Sequence, residues 1–362
     1  MSHPIPVKHA LGSYPVYVDA GILARLDSLI ALHLSHRRIA LISDETVWQL
    51  CQTGGPGSLN WMGDTLTVPA GEASKTRDTW AHLSDTLLDR QFGRDSGLIG
   101  LGGGVVGDLT GFVAANYMRG IPYLLVPTTL LAMVDASVGG KTGVNTSQGK
   151  NLIGAFHPPV AVIADPNTLT TLPEREFRSG LAEAVKHGLI ADQSYFEWIE
   201  SRTDPILRRD PETLVRLVRR SVEIKAEVVG EDERESGRRA ILNAGHTVAH
   251  ALEAASGYRL SHGEAVALGL IAESHLSERL HIAAPGVGAR VTAILRRLGL
   301  PVRLPQGLDR ATILARTSSD KKNRSGQVRC ALVQTLGRMH RDDDWTTAVP
   351  LPEMAAALAA MG

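Results

Sequence analysis

The hydrophobic period of this chain changes once, near residue 170, and that change constrains the fold more than any single motif. Before it, the short β-rich runs "RIALIS", "SGLIGLGG" and "IPYLLVP" alternate with helical segments such as "TRDTWAHLSDTLLDRQ" and "TGFVAANYM". That rhythm belongs to a parallel sheet covered by helices. After "IADPNTLTTLPEREF", apolar residues recur at three and four spacing through "PETLVRLVRRSVEIKAEVV", "GHTVAHALEAAS", "GEAVALGLIAESHLSERL" and "GARVTAILRRLG", which predicts helices. The expectation is an α/β domain over residues 1–172 followed by a mainly α-helical domain over 173–362. A chain of 362 residues exceeds one compact core, and 43% hydrophobic residues suffice to bury two.

Composition removes several function classes. The 38 basic side chains balance the 38 acidic ones and aromatic residues make up only 4%, so neither nucleic acid nor an anionic membrane is an expected partner. Cys51 and Cys330 are the two cysteines, far apart and without ligand spacing, which suits a reducing cytoplasm and offers no thiolate metal site. The opening "MSHPIPVKHA" lacks an apolar signal core, and no stretch approaches the length of a membrane span.

In "GLGGGVVGDLTG", Gly102, Gly104 and Gly107 satisfy G-x-G-x-x-G between a predicted strand and a predicted helix, where bare backbone can approach a pyrophosphate. The motif comes about a hundred residues in, and "LLVPTT" follows it where an acidic ribose partner would stand, so the domain is Rossmann-like rather than a standard Rossmann fold. Asp44, ending "RIALIS", is a substitute ribose partner; Glu72 and Lys75 in "PAGEASK" form a further polar turn. The stretch Val126 to Phe156 sets Thr128, Thr129, Asp135, Lys141, Lys150 and Asn151 among glycines and reads as a loop built to hold an anion. Lys225 falls on the apolar stripe of its helix with Leu214, Leu217, Val218, Ser221 and Val222, where its ammonium either meets an anionic partner or snorkels to solvent at the helix end.

His246 and His250 stand one helical turn apart in "LNAGHTVAH", the spacing of a zinc-protease pair, but Thr247 occupies the place of the water-activating glutamate. Glu183 and Lys186 are one turn apart in "SGLAEAVKHG", and "SHGEAVALG" puts His262 at the start of another helix. Nitrogen and oxygen donors on three helices suit a catalytic zinc site, with His246 and His250 the obvious pair on spacing alone.

The blocks "GGGVVGD", "YMRG", "VPTTLLAMVDASVGGKTGVN", "GKNLIGAF", "GLAEAVKHG", "LNAGHTVAH", "SHGEAVALG" and "DKK" resemble, in order and spacing, the 3-dehydroquinate synthase family. The resemblance implies a divalent metal, zinc or another such as cobalt, held by Glu183, His246 and His262, with His250 turned to a substrate phosphate. It implies NAD on Asp44, Glu72, Lys75, Gly103, Gly104, Val105, Asp108, Thr128, Thr129, Lys150 and Thr171. Substrate contacts would be Asp135, Lys141, Asn151, Lys186, Lys225, Arg239, Asn243, His250 and Lys321 or Lys322. Arg119 would cross a homodimer interface to the phosphate. The implied reaction converts 3-deoxy-D-arabino-heptulosonate 7-phosphate to 3-dehydroquinate and phosphate on the shikimate route to chorismate and the aromatic amino acids. It runs through transient oxidation by NAD, phosphate loss, re-reduction and aldol closure. Sister cyclases acting on sedoheptulose 7-phosphate or an amino analogue are the alternative. His187 and His157 depart from the family pattern, where aromatic residues are usual.

Overall fold

The continuously apolar runs of the first half form the interior of a sheet. In a computed structural model, which describes residues 3–55, 57–318 and 327–361, the strands of this half are β1 (Ile5–His9), β2 (Gly12–Val18), β3 (Arg38–Asp44), β4 (Asp64–Val68), β5 (Ser96–Gly102), β6 (Tyr123–Pro127), β7 (Lys141–Thr146), β8 (Gly149–Phe156) and β9 (Ala161–Ala164). Among the described residues, seven of them pair in the order β1-β2-β9-β6-β5-β3-β4, parallel except for the β1–β2 edge. Every residue of β5 is buried, as expected of a parallel strand covered on both faces. Ile99 and Leu101 pack into one cluster with Leu26, Leu29, Leu41, Leu124 and Val126.

The helix Gly104–Asn116 packs on β5, β6 and β7, and glycines make that close approach possible. A Cβ on Gly100 would stand 2.8 Å from Thr110 Oγ1, and one on Gly111 would stand 2.3 Å from Thr142 Cγ2. Asp135 lies in the helical turn Ala132–Ala136, while the second half of the stretch Val126 to Phe156, expected as a loop, is the antiparallel hairpin β7–β8. Its strands meet where a Cβ on Gly154 would come within 2.1 Å of Thr142 O, so the glycines serve strand contact as well as any ligand.

One compact unit comprises Met1–Pro173 with Pro211–Gly230, and a second comprises Glu174–Asp210 with Glu231–Gly362. Helix Pro211–Glu231, read from its period with the helical half, therefore lies almost wholly in the first unit. The whole stripe Leu214, Leu217, Val218, Ser221, Val222, Lys225 is buried. Lys225 Nζ donates to Asp135 O at 2.6 Å and to Asp135 Oδ1 at 2.7 Å, and Arg219 Nη2 donates to His3 O at 3.1 Å. The second unit is mainly helical, through Glu174–Ala191, Gln193–Ser201, His246–Ala255, His262–Arg279, Val287–Arg297, Arg310–Ser318 and Leu351–Ala359. Lys321 and Lys322 lie outside the described residues.

Asp165, just after β9, is 2% exposed and accepts backbone N–H bonds from Gly21 at 2.9 Å, Leu23 at 3.1 Å and Asn167 at 3.0 Å. Asp165→Ala removes the acceptor of all three, of which the Leu23 bond is buried, at a cost of about 1 to 3 kcal/mol. Urea unfolding should show a lower midpoint with an unchanged slope; a midpoint equal to wild type would mean the donors find other acceptors.

Candidate active site

Three helices of the second unit deliver the candidate metal donors. Glu183 lies mid-way along Glu174–Ala191 and is fully buried, whereas His246 and His262 are each the first residue of their helix. The His262 helix starts with a capping box: Ser261 accepts from Glu264 N–H while Glu264 Oε2 accepts from Ser261 N–H at 2.8 Å. Arg175 holds Glu264 through bonds of 3.1 and 2.7 Å.

Glycines then set how closely these helices cross. Gly263 N–H donates to Ser179 Oγ at 2.9 Å, and a Cβ on Gly263 would come within 2.1 Å of Ser179 O. Gly269 meets Gly245 so closely that a Cβ would be 1.9 Å from Gly245 O. Gly245, at φ 79, is the left-handed residue that opens the His246 helix.

The result is that Glu183 Oε1 lies 3.3 Å from His262 Nε2 and 3.6 Å from His246 Nε2, with ligand atoms of all three within 4.8 Å of one another. His246 Nδ1 lies 3.1 Å from Ala244 O, which leaves Nε2 for the cluster. His250 falls outside this group of converging donor atoms, although its ring, edge-on to His246 with centroids 5.6 Å apart, neighbours it as the His262 ring does at 5.4 Å. The spacing-based pair thus separates into one cluster residue and one neighbour. Lys186 forms an ion pair with Glu183 one turn away. Burial alone would raise the Glu183 pKa, but Lys186, His262 and His246 outweigh it and hold the carboxyl well below its usual value. Burial likewise opposes the charged form of His262, yet the carboxylates of Glu183 and Glu253 lift it to about 9.

Arg239, 2% exposed, lies at the start of the short 3-10 helix Arg238–Asn243, which is anchored by Asp232, whose carboxylate accepts from the backbone of Ser236, Gly237 and Arg239 at 2.9, 2.7 and 3.0 Å. Its guanidinium bonds Glu233 O, and Asn243 Nδ2 donates to Glu235 Oε1 at 2.5 Å.

In the first unit, β5 ends at Gly102 and Gly103 caps the helix that starts Gly104, Val105, with no acidic side chain in its first turn. A cavity at this turn is lined by Gly100, Gly102, Gly103, Gly104, Pro127 and Ala136 among others. Lys75 pairs with Asp108 and donates to Asn151 Oδ1 at 2.6 Å, bringing together residues expected on NAD and on substrate. Burial raises the Asp108 pKa against the opposing pull of Lys75. Glu72 accepts from Asn145 at 2.7 Å, and Asp44 caps its helix by accepting from Val47 N–H at 2.9 Å. Thr128 N–H donates to Gly102 O at 2.9 Å, while Thr129 Oγ1 accepts from Ala132 N–H at 3.1 Å. Lys141 and Arg119 are exposed, Arg119 at φ 68, Lys150 is half-buried on β8, and Thr171 is exposed at the end of a short helix.

The family model described as 3-dehydroquinate synthase N-terminal matches residues 65–179, and the C-terminal model matches residues 180–323. This chain belongs to the 3-dehydroquinate synthase family. Among curated relatives, the 3-dehydroquinate synthase of Symbiobacterium thermophilum is 49% identical over 87% of this chain and 89% of that protein. The synthase of Halorhodospira halophila is 48% identical over 90% of this chain and 91% of its own. Among solved structures, 2-epi-5-epi-valiolone synthase from Streptomyces hygroscopicus subsp. jinggangensis, with NAD+ and Zn2+ bound, has a TM-score of 0.84 at 30% identity and covers 98% of both chains. A 2-deoxy-scyllo-inosose synthase structure, at TM-score 0.88 and 24% identity over 99% of this chain and 100% of that one, shares the fold.

The structure also places the two histidines expected to depart from the family pattern. His157 stacks on Tyr123 with ring centroids 5.5 Å apart and lies 2.9 Å from Ile121 O, and His187 is fully buried on the Glu183 helix. Sequence reading missed the buried carboxylates Glu253 and Glu273. The signal was available: both are charged residues within otherwise apolar helical stretches, the criterion that singled out Lys225.

Gly263→Ala should force the His262 helix away from Ser179, costing about 1 to 3 kcal/mol by overpacking and separating His262 from Glu183. Metal titration of the folded variant should show at least a tenfold loss of affinity for zinc; unchanged affinity would mean the contact does not set the site.

Proposed function

We propose that this chain is a metal- and NAD-dependent lyase that converts 3-deoxy-D-arabino-heptulosonate 7-phosphate to 3-dehydroquinate and phosphate, without net redox change, in the shikimate route. The observation that carries it is the convergence of Glu183, His246 and His262 in a chain 49% identical to a named 3-dehydroquinate synthase. Identity to the valiolone synthase is 30%, which favours this substrate over those of the sister cyclases.

The residues suit both a divalent metal and NAD. One carboxylate and two imidazole nitrogens within 4.8 Å of one another form a donor set for a divalent cation, for which zinc is our reading. At the glycine turn a Cβ on Gly103 would meet Thr129 Cγ2 at 3.1 Å, so the bare backbone leaves a cradle at a helix N-terminus suited to the NAD pyrophosphate. Asp44, Glu72, Lys75, Asp108, Thr128, Lys150 and Thr171 are the further NAD residues in this reading. When bound, the metal supplies a Lewis acid at the substrate hydroxyls and NAD a reversible hydride acceptor.

The chain's own side chains would bind and orient the substrate. Arg239 offers a planar fork to the carboxylate. Lys186, held by Glu183, faces the reacting hydroxyls, and Asp135 with Lys225 supplies a charge-balanced acceptor and donor pair. His250, Lys141, Asn151 and Arg119 take the phosphate, with Asn243 and Lys321 or Lys322 as further contacts. Arg119 would act in the second copy of a homodimer. Its exposure and the outward Leu152, Ile153 and Phe156 on β8, each at least 38% exposed, support such an interface. Sedimentation of the native protein as a monomer at micromolar concentration would contradict it.

Purified protein with NAD and zinc should release phosphate from 3-deoxy-D-arabino-heptulosonate 7-phosphate with no net NADH, and metal stripping should abolish release. Release only from sedoheptulose 7-phosphate would reassign the substrate. The raised pKa of His262, about 9, adds a sign. Below that value the metal-free site holds a proton that a cation must expel. Zinc affinity should therefore rise about tenfold per pH unit up to about 9. A flat profile from pH 6 to 8 would contradict the lift that Glu183 and Glu253 give to the His262 pKa.

A further inference from the structure

Two carboxylates buried beside the metal cluster have no role so far: Glu253 and Glu273, 5% and 3% exposed. Each sits on one of the two helices whose first residue is a candidate ligand, and each reaches the head of the other helix. Glu273, three turns into the His262 helix, accepts from Gly245 N–H at 2.7 Å and from Val248 N–H at 3.3 Å. Those groups are at the start of the His246 helix, whose cap residue Gly245 has no side chain to satisfy them. Glu253, two turns into the His246 helix, places Oε2 3.5 Å from His262 Nδ1, on the side of the ring away from the 3.3 Å contact between Nε2 and Glu183.

We propose that Glu253 and Glu273 are positioning residues of the metal centre, forming a reciprocal brace in which each helix carries the carboxylate that fixes the ligand at the head of the other. The inference rests on reading Glu183, His246 and His262 as the metal ligands. An imidazole can ligate only through a nitrogen that carries no hydrogen. A carboxylate facing Nδ1 selects the tautomer with the proton there, turns the ring and frees Nε2. His262 receives this restraint from Glu253. His246 receives the equivalent from Ala244 O, and Glu273 holds the intervening Gly245 in place. The charge of Glu273 is tolerated in the interior because it faces the positive end of a helix.

The test uses full-length protein stripped of metal, titrated with Co2+ and, by chelator competition, with Zn2+. Wild type should bind both and give the visible absorption of a four- or five-coordinate Co2+ site, and His262→Ala should lose it. Glu253→Gln, of nearly the same shape, should melt within a few degrees of wild type yet raise the Zn2+ Kd about 10- to 100-fold and shift the Co2+ spectrum. Glu273→Gln retains an amide oxygen for Gly245 N–H; it should raise the Kd several-fold. Should Glu253→Gln not accumulate folded, Glu253→Met, apolar and of similar length, carries the same expectation. Wild-type affinity and an unchanged Co2+ spectrum in a folded Glu253 variant would overturn the brace and leave the metal reading standing. Failure of wild type to bind Co2+, or wild-type binding by His262→Ala, would overturn the metal reading and the brace with it.

Discussion

The backbone contacts at Gly263 and Gly269 set the geometry on which the site depends. Glu183, His246 and His262 lie on three helices, up to 79 residues apart in the chain, and a catalytic metal site requires their donors to converge within a few ångströms. Packing of larger side chains would hold helix axes 8 to 10 Å apart and leave short side chains unable to meet. Gly263 against Ser179 and Gly269 against Gly245 bring the helices to backbone contact. Because both ligand histidines head their helices, fixing the helix starts also fixes the imidazoles.

Each of the two units carries charges where solvent is scarce, and several of them have compensating partners within the same unit. Glu183 faces Lys186 and two histidines; Lys225 faces Asp135; Lys75 faces Asp108; Glu273 faces the head of a helix. An isolated charge in these positions would neutralise rather than remain ionised. The pairs are polarised before any substrate arrives, so little reorganisation is needed when charge develops. Such a pair is one of the ties of helix Pro211–Glu231 to the first unit: Lys225 on its buried stripe is bound to Asp135.

Local patterns were readable and long-range ones were not. The 3.6-residue period located the helices, the apolar runs located β3, β5 and β6, and the stripe position of Lys225 left an anion or a snorkelling stem, between which Asp135 decides. By contrast, glycine-rich composition does not distinguish a ligand-holding loop from the tight hairpin β7–β8, since both need backbone without side chains. The choice between His250 and His262 was beyond spacing for the same reason. Within one helix, His246 and His250 are neighbours whatever surrounds them, whereas His262 enters only through a crossing set by Ser179 and Gly245. The family resemblance, not periodicity, supplied the set Glu183, His246 and His262.

The measurement that bears most directly on this account is anomalous diffraction at the zinc edge from crystals of the zinc-loaded protein. The account predicts one strong peak bonded to Glu183 Oε1, His246 Nε2 and His262 Nε2, with the His250 ring outside bonding distance. A peak bridging His246 and His250, with His262 turned away, would contradict it.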